Sequence, residues 1–313
     1  MSREHPVNLS ASVRQKLLNQ AKQKGILFDD MLRLYAAERF LYRIADSDYR
    51  GLFILKGALM FRIWSGDDSR TTKDIDLLAR TSNDPKHIES FLRACCEKDS
   101  SHLDGIRYDT ESLQTKPLNN PRGIKGVRAG FTAYLGTARA RVQIDFGFND
   151  HVCPHPVEIT FPSLLDYPEF RMLGYTAETS IAEKTHAMVV LAEFNSRMKD
   201  FHDLYWFQQH QNFELSILVD AIYQTFRQRE TPIPEKLPDI LSLPLHSEAT
   251  QQIQWNAYMR EKRLTDIPKS FQKICDKIAS FLEIPLRCAA DRTLLEKRQW
   301  TPTKGWIPFV NDV

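Results

Sequence analysis

At 313 residues, 42% of them apolar, the chain is long enough for one large or two modest folded domains. Its 42 basic and 40 acidic side chains leave a net charge of +2, which neither demands nor excludes a nucleic-acid partner and puts the question on local patches. No apolar run approaches a membrane-spanning length, the N-terminus lacks a signal-peptide core, and five scattered cysteines without C-x-x-C spacing argue for free thiols rather than a zinc site or a disulfide framework. A cytoplasmic protein with no membrane partner is expected.

Residues 8–24 read as an amphipathic helix with Ser10 as N-cap and a stop at Gly25, and residues 29–45 as a second helix burying Met31, Leu32, Tyr35, Phe40 and Ile44. Arg33, Arg39 and Arg43 on the second helix read as surface groups, with contact of one of them to a phosphate as the alternative. Residues 52–55 and 73–79 are expected strands flanking a short helix at 57–65. On the second strand Asp74 and Asp76 stand two apart, so both carboxylates share one face while Ile75 and Leu77 turn into a core. Such a pair is either two solvated acids at a strand end or a site for a divalent cation, with the amides after Gly57 available to an anion.

A helix is expected over 84–96 and a strand over 105–113, with 116–126 as a basic connection. Strands over 127–135 and 140–148 then form an antiparallel hairpin about Gly136. Its second arm places Arg141, Gln143 and Asp145 on one face, and Asp145 is either an ordinary strand aspartate or a third member of the acidic group. The proline-rich stretch 151–176, with a short strand or two, carries the expected boundary between domains at 1–175 and 176–313. Beyond it Thr179 or Ser180 caps a helix to about 194, with Ser180-x-x-Glu183 as a capping box that sets Lys184 just inside. Asp200 and Asp203 follow on one face of the next helix, where they serve either the helix dipole or a site. Helices over 214–229, 248–261 and 267–283, a proline-marked linker over 231–245 and an aromatic tail over 300–309 complete the chain. The tail either packs back on the fold or stacks a base.

In order, Lys56-Gly57-Ala58, Arg70-Thr71-Thr72-Lys73-Asp74-Ile75-Asp76, Arg141 to Gly147, Glu183-Lys184 and Lys199 to Leu204 resemble the AbiEii/AbiGii toxin family of nucleotidyltransferases. That family belongs to bacterial toxin–antitoxin and abortive-infection systems. The resemblance implies an α+β fold, a polymerase-beta-like nucleotidyltransferase core with a small mixed sheet and flanking helices, followed by a helical C-terminal lobe. It implies that Asp74 and Asp76 bind Mg²⁺ or Mn²⁺, with Asp145 at the third-acid position. By the same resemblance Lys184 reaches the phosphates of an NTP donor, and Asp203 with Asp200 matches the lysine-aspartate motif of the helical lobe, one member of which is needed for activity. Gly57 and Ala58 open the phosphate-facing helix where the family has Gly-Gly or Gly-Ser, and Arg70 and Lys73 are neighbouring cations. The activity implied is transfer of a nucleoside monophosphate to RNA, a tRNA 3′ end being the leading acceptor. Basic residues Lys116, Arg122, Lys125, Arg128, Arg139 and Arg141 are available to its phosphates, and a cognate antitoxin is the implied partner. A small-molecule or protein acceptor, and a catalytically inert interaction module, are the rival readings.

Overall fold

The computed structural model describes residues 8–66, 74–98, 101–119, 125–242, 248–292 and 297–309. Two compact units divide the chain, Met1–Asp150 with Pro156–Tyr175, and His151–His155 with Thr176–Val313. Arg70, Lys73, Arg122 and the Lys125 side chain lie outside the described residues.

The first unit is a mixed seven-stranded sheet against helices. Its elements are α1 (Leu9–Lys24), α2 (Phe28–Ala45), β1 (Phe53–Lys56), α3 (Ala58–Ser65), β2 (Asp74–Ala79), α4 (Pro85–Glu97), α5 (Ser101–Asp104), β3 (Ile106–Asn119), β4 (Lys125–Leu135), β5 (Ala138–Phe148), β6 (Val157–Phe161) and β7 (Phe170–Gly174). The sheet order is β3-β4-β5-β2-β1-β7-β6, with β2 parallel to β5 and β1 parallel to β7. β2 is thus an interior strand. Alternation along β5 sends Val142, Ile144 and Phe146 inward, against a core shared with Phe40 of α2 and Phe131 of β4, and leaves Gln143 and Asp145 on the outer face.

Local chemistry moves several boundaries. Asn8, not Ser10, caps α1 by accepting from the Ala11 amide, because Ser10 Oγ donates instead to the Gly105 carbonyl at 2.9 Å. The basic connection expected over 116–126 is partly strand. Lys116 pairs with Arg128, and a register shift between Asp109 and Gln114 lets β3 continue.

Arg39 and Arg43 are not surface groups. Both are buried, with Arg39 Nε 3.1 Å from Asp104 Oδ2 and Arg43 Nη2 3.0 Å from the Ile106 carbonyl. Their guanidinium planes also rest on Tyr42 and Tyr108, which supplies π-density where full hydrogen-bonding is not met. Next to them Glu38 accepts from Arg62 Nη1, Ser163 Oγ and the Leu164 amide, tying α2 to α3. Burial raises the Glu38 pKa against the opposing pull of Arg62.

The second unit is mainly helical: α6 (Ala177–Leu191), α7 (Met198–His210), α8 (Leu215–Gln228), α9 (Asp239–Ser242), α10 (Glu248–Lys262) and α11 (Phe271–Asp291). A small sheet joins β8 (Phe213–Glu214), β9 (Arg298–Thr301) and β10 (Gly305–Pro308) in the order β10-β9-β8. The aromatic tail packs back: Trp300 Nε1 donates to the Gln208 carbonyl at 2.8 Å and Trp306 Nε1 to the Phe281 carbonyl at 2.9 Å. Thr176 caps α6 by accepting from the Thr179 amide, so Ser180 lies within the helix. Glu183 spends its carboxylate on Arg229 at 3.1 Å rather than in a capping box. Among the described residues no helix is long and apolar enough to cross a membrane, and all five cysteines are free.

Candidate active site

β2 owes its place to Ile75, Leu77 and Leu78, which are buried, and their burial fixes Asp74 and Asp76 on the opposite face, both partly exposed. The flanking strands build outward from this pair. Asp76 stands opposite Lys56 on β1 and beside Asp145 on β5, and Asp145 in turn faces Arg128 on β4. Directly paired residues share a face of the sheet, so a row runs Lys56, Asp76, Asp145, Arg128 across four strands. Asp74 stands one step along, beside Gln143, whose Nε2 donates to Asp74 Oδ1 at 2.7 Å.

Each end of the row is tied. Lys56 Nζ lies 2.9 Å from Asp150 Oδ2 and over the Tyr175 ring. Arg128 holds Asp145 with both prongs, Nε to Oδ1 and Nη2 to Oδ2, each at 2.7 Å. That hydrogen-bonded pairing, more than the small burial that opposes it, raises the Arg128 pKa.

Gly57 explains how Asp76 is accommodated. At φ +71° and ψ −149° the backbone occupies a region closed to side chains, and a Cβ placed there would sit 2.1 Å from Asp76 Oδ2 and 2.8 Å from Asp76 Cβ. The carboxylate therefore fills the hollow that glycine leaves, at the first turn of α3. Ala58 follows as the first residue of that helix.

In the second unit Lys184 of α6 meets two carboxylates of α7, Asp200 Oδ1 and Asp203 Oδ2, each 2.8 Å from Nζ. Asp200 and Asp203 are 4% and 1% exposed, so this is a buried ion cluster rather than two acids serving a helix dipole in solvent. Burial alone would lower the Lys184 pKa, but the two carboxylates outweigh it and carry the ammonium above its ordinary value. Lys184 is a cation throughout the neutral range. Asp203 keeps a further neighbour in His202, whose Nδ1 lies 3.4 Å from Oδ1.

Asp74 and Asp76 are hard oxygen donors on one face, partly open to solvent, and that donor chemistry suits Mg²⁺ or Mn²⁺. The larger acidic group is not gathered: among the described residues no three or more His, Cys, Asp or Glu side chains are arranged to hold a metal ion. Lys56, Asp150, Gln143 and Arg128 were not singled out in the sequence as partners of the acids. The signal for Arg128 lay in the hairpin, because its turn length sets which β4 residue faces Asp145.

The family model described as "Nucleotidyl transferase AbiEii toxin, Type IV TA system" matches residues 39–277. Nothing among curated proteins matches the chain. Two solved structures from Helicobacter pylori resemble it at 10% identity. JHP933 has a TM-score of 0.40, with 81% of this chain and 88% of that one covered, and a protein named as a candidate nucleotidyltransferase has a TM-score of 0.35, with 81% and 91% covered.

Proposed function

Because the match spans most of its length, the chain belongs to the AbiEii nucleotidyltransferase toxin family, and from that premise we propose that it transfers a nucleoside monophosphate from an NTP to an RNA acceptor, a tRNA 3′ end, with release of pyrophosphate. The observation that carries this reading is the pairing of Asp74 and Asp76 on an interior strand, with Asp76 seated against the side-chain-free Gly57 at the start of α3. Membership of a type IV toxin–antitoxin family also implies an antitoxin partner.

In this reading Asp74 and Asp76 hold the divalent ion, Mg²⁺ or Mn²⁺, which when bound neutralises phosphate oxygens and favours the deprotonated acceptor hydroxyl. Gln143 keeps Asp74 turned toward the open face through its 2.7 Å hydrogen bond. Gly57 leaves the space that Asp76 needs while keeping the α3 amides near the acids for phosphate. The family pattern supplies the role of Lys184, a cation toward phosphate, and Asp200 and Asp203 keep it charged. Arg70 and Lys73 keep the supporting role the resemblance gives them.

RNA is favoured over other acceptors by the outer face of β3, β4 and β5. Arg107, Lys116, Arg139 and Arg141 are all exposed there, and Arg141 lies on the same side of β5 as Asp145. Cations leading along one face toward the acids suit a phosphate backbone. Incubation of the protein with labelled NTPs and total tRNA tests the proposal, with Asp74→Ala/Asp76→Ala and Lys184→Ala as controls. Label on tRNA that vanishes in the controls is expected. Label on a metabolite or polypeptide would replace the RNA acceptor, and no transfer with any NTP and several RNA pools would overturn the activity.

A further inference from the structure

The row across the sheet carries one more consequence, which rests on the proposed nucleotidyltransferase site. Three acids lie on the outer face of β2 and β5, yet they do not face equivalent surroundings. Asp74 and Asp76 are on one strand, and Asp74 accepts from a neutral amide, Gln143 Nε2. Asp145, one strand over, has both oxygens engaged by a single guanidinium, each at 2.7 Å. A bidentate fork of this kind takes one lone pair on each oxygen and so blocks the chelating edge through which both oxygens would hold a cation. The arginine cannot lose its charge to release them.

We infer that Arg128 withholds Asp145 from metal, so that this chain binds one divalent ion at Asp74 and Asp76 while the guanidinium takes the place of a second cation. Arg128 is also well placed to hold this state. It belongs to an antiparallel pair whose register runs unbroken from Val127↔Phe146 to Leu135↔Ala138, so the fork and the carboxylate stay opposite one another without any loop having to close. In this arrangement Arg128 is a positioning residue, and Asp145 acts as its anchor rather than as a ligand.

Counting bound Mn²⁺ by electron paramagnetic resonance, with a non-hydrolysable NTP present, tests this without reference to turnover. The wild type is expected to bind one ion per chain. Asp145→Asn should leave that affinity within about fivefold. Asp74→Asn and Asp76→Asn should each abolish binding. Arg128→Ala and Arg128→Met, checked for folding by circular dichroism, should admit a second, weaker ion that is lost again when Asp145→Asn is added. Two ions in the wild type, or loss of the first ion in Asp145→Asn, would overturn the clamp while leaving the Asp74 and Asp76 reading intact. No ion in the wild type would overturn that reading and the clamp with it.

Discussion

Replacing Gly57 by alanine is the most informative single perturbation of the first unit, because two separable costs meet at one atom. The first is conformational: with φ at +71° and ψ at −149°, an L side chain is strained by about 1–3 kcal/mol whatever surrounds it. The second is steric. The new Cβ would lie 2.1, 2.7 and 2.8 Å from Oδ2, Cγ and Cβ of Asp76, against an ordinary contact distance of at least 3.4 Å. Rotating the carboxylate does not relieve the last of these, since Cβ is fixed to a strand paired on both sides, to β1 and to β5. Forcing a methyl into such a place adds about 1–3 kcal/mol more.

Together these put Gly57→Ala at about 4 kcal/mol, which with a urea slope near 2 kcal/mol/M lowers the unfolding midpoint by about 2 M. Asp76 would also be pushed by roughly 1 Å, enough to cost about 100-fold in nucleotide transfer. Gly25→Ala separates the two costs. Its φ of +64° is strained in the same sense, but nothing lies within 4 Å of the added Cβ, so only about 1–2 kcal/mol is lost. Urea titrations followed by circular dichroism, with Mn²⁺ binding measured on each protein, read both outcomes. If Gly57→Ala unfolded at the wild-type midpoint and kept transfer within about threefold, the close approach to Asp76 would be wrong as a cause of either effect.

Four further outcomes follow from the same reasoning. Lys184→Ala strands two buried carboxylates and should destabilise the second unit by about 3–5 kcal/mol, whereas Lys184→Met/Asp200→Asn/Asp203→Asn should recover most of that loss without restoring transfer. Regained activity in the triple variant would make the cluster purely structural. Since the folded pKa of Lys184 is raised, its stabilising contribution is complete below the unfolded lysine value near ~10.4 and lost only as pH climbs through the higher folded one, so the Lys184→Met midpoint deficit should be constant from about pH 6 to 9. Cys153 lies in a cavity of about 650 Å³ in the second unit with Asp220 and Tyr223, and burial, then its hydrogen bond to Asp220, pushes the thiol up to about 12; disulfide-exchange labelling at neutral pH should be slow and should quicken about tenfold in Asp220→Asn. Arg139→Ala and Arg141→Ala should each reduce the salt dependence of RNA binding by roughly 0.7–0.9 in log–log slope, the signature of a lost phosphate contact.

What the sequence disclosed about this fold follows how local the controlling interactions are. Alternation in β5 and β2 was visible directly, so the face carrying Asp74, Asp76, Gln143 and Asp145 was legible from side-chain period alone. The α+β class was legible as well, and the family match agrees with it. The buried Arg39 and Arg43 were not. They sit on α2 at a spacing that fits a solvated helix face, and only Asp104, more than sixty residues away, makes burial tolerable. The capping of α6 went astray for a related reason: Ser180-x-x-Glu183 has the right letters, but Thr176 lies one turn earlier and takes the cap, while Arg229 draws Glu183 away.

The clamp on Asp145 lies two residues of register away from the hairpin that the sequence suggests. A hairpin with strands at 127–135 and 140–148 leaves four residues in the turn and sets Asp145 opposite a different β4 position. The chain instead turns at Gly136 and Thr137 alone, Gly136 adopting a φ of +59°, and pairs Leu135 with Ala138. Every later pair is then fixed by the tight turn, and the tenth residue back from Ala138 along the hairpin, Arg128, arrives opposite Asp145. The two-residue connection and the buried faces of both strands thus agree on the register that brings the third acid to a guanidinium. Inserting two glycines between Gly136 and Thr137 leaves those buried faces in place and needs only a four-residue loop, so Arg128 should stay opposite Asp145 and the Mn²⁺ count should stay at one. A second ion in that variant would mean that the turn alone sets the register, and with it the clamp.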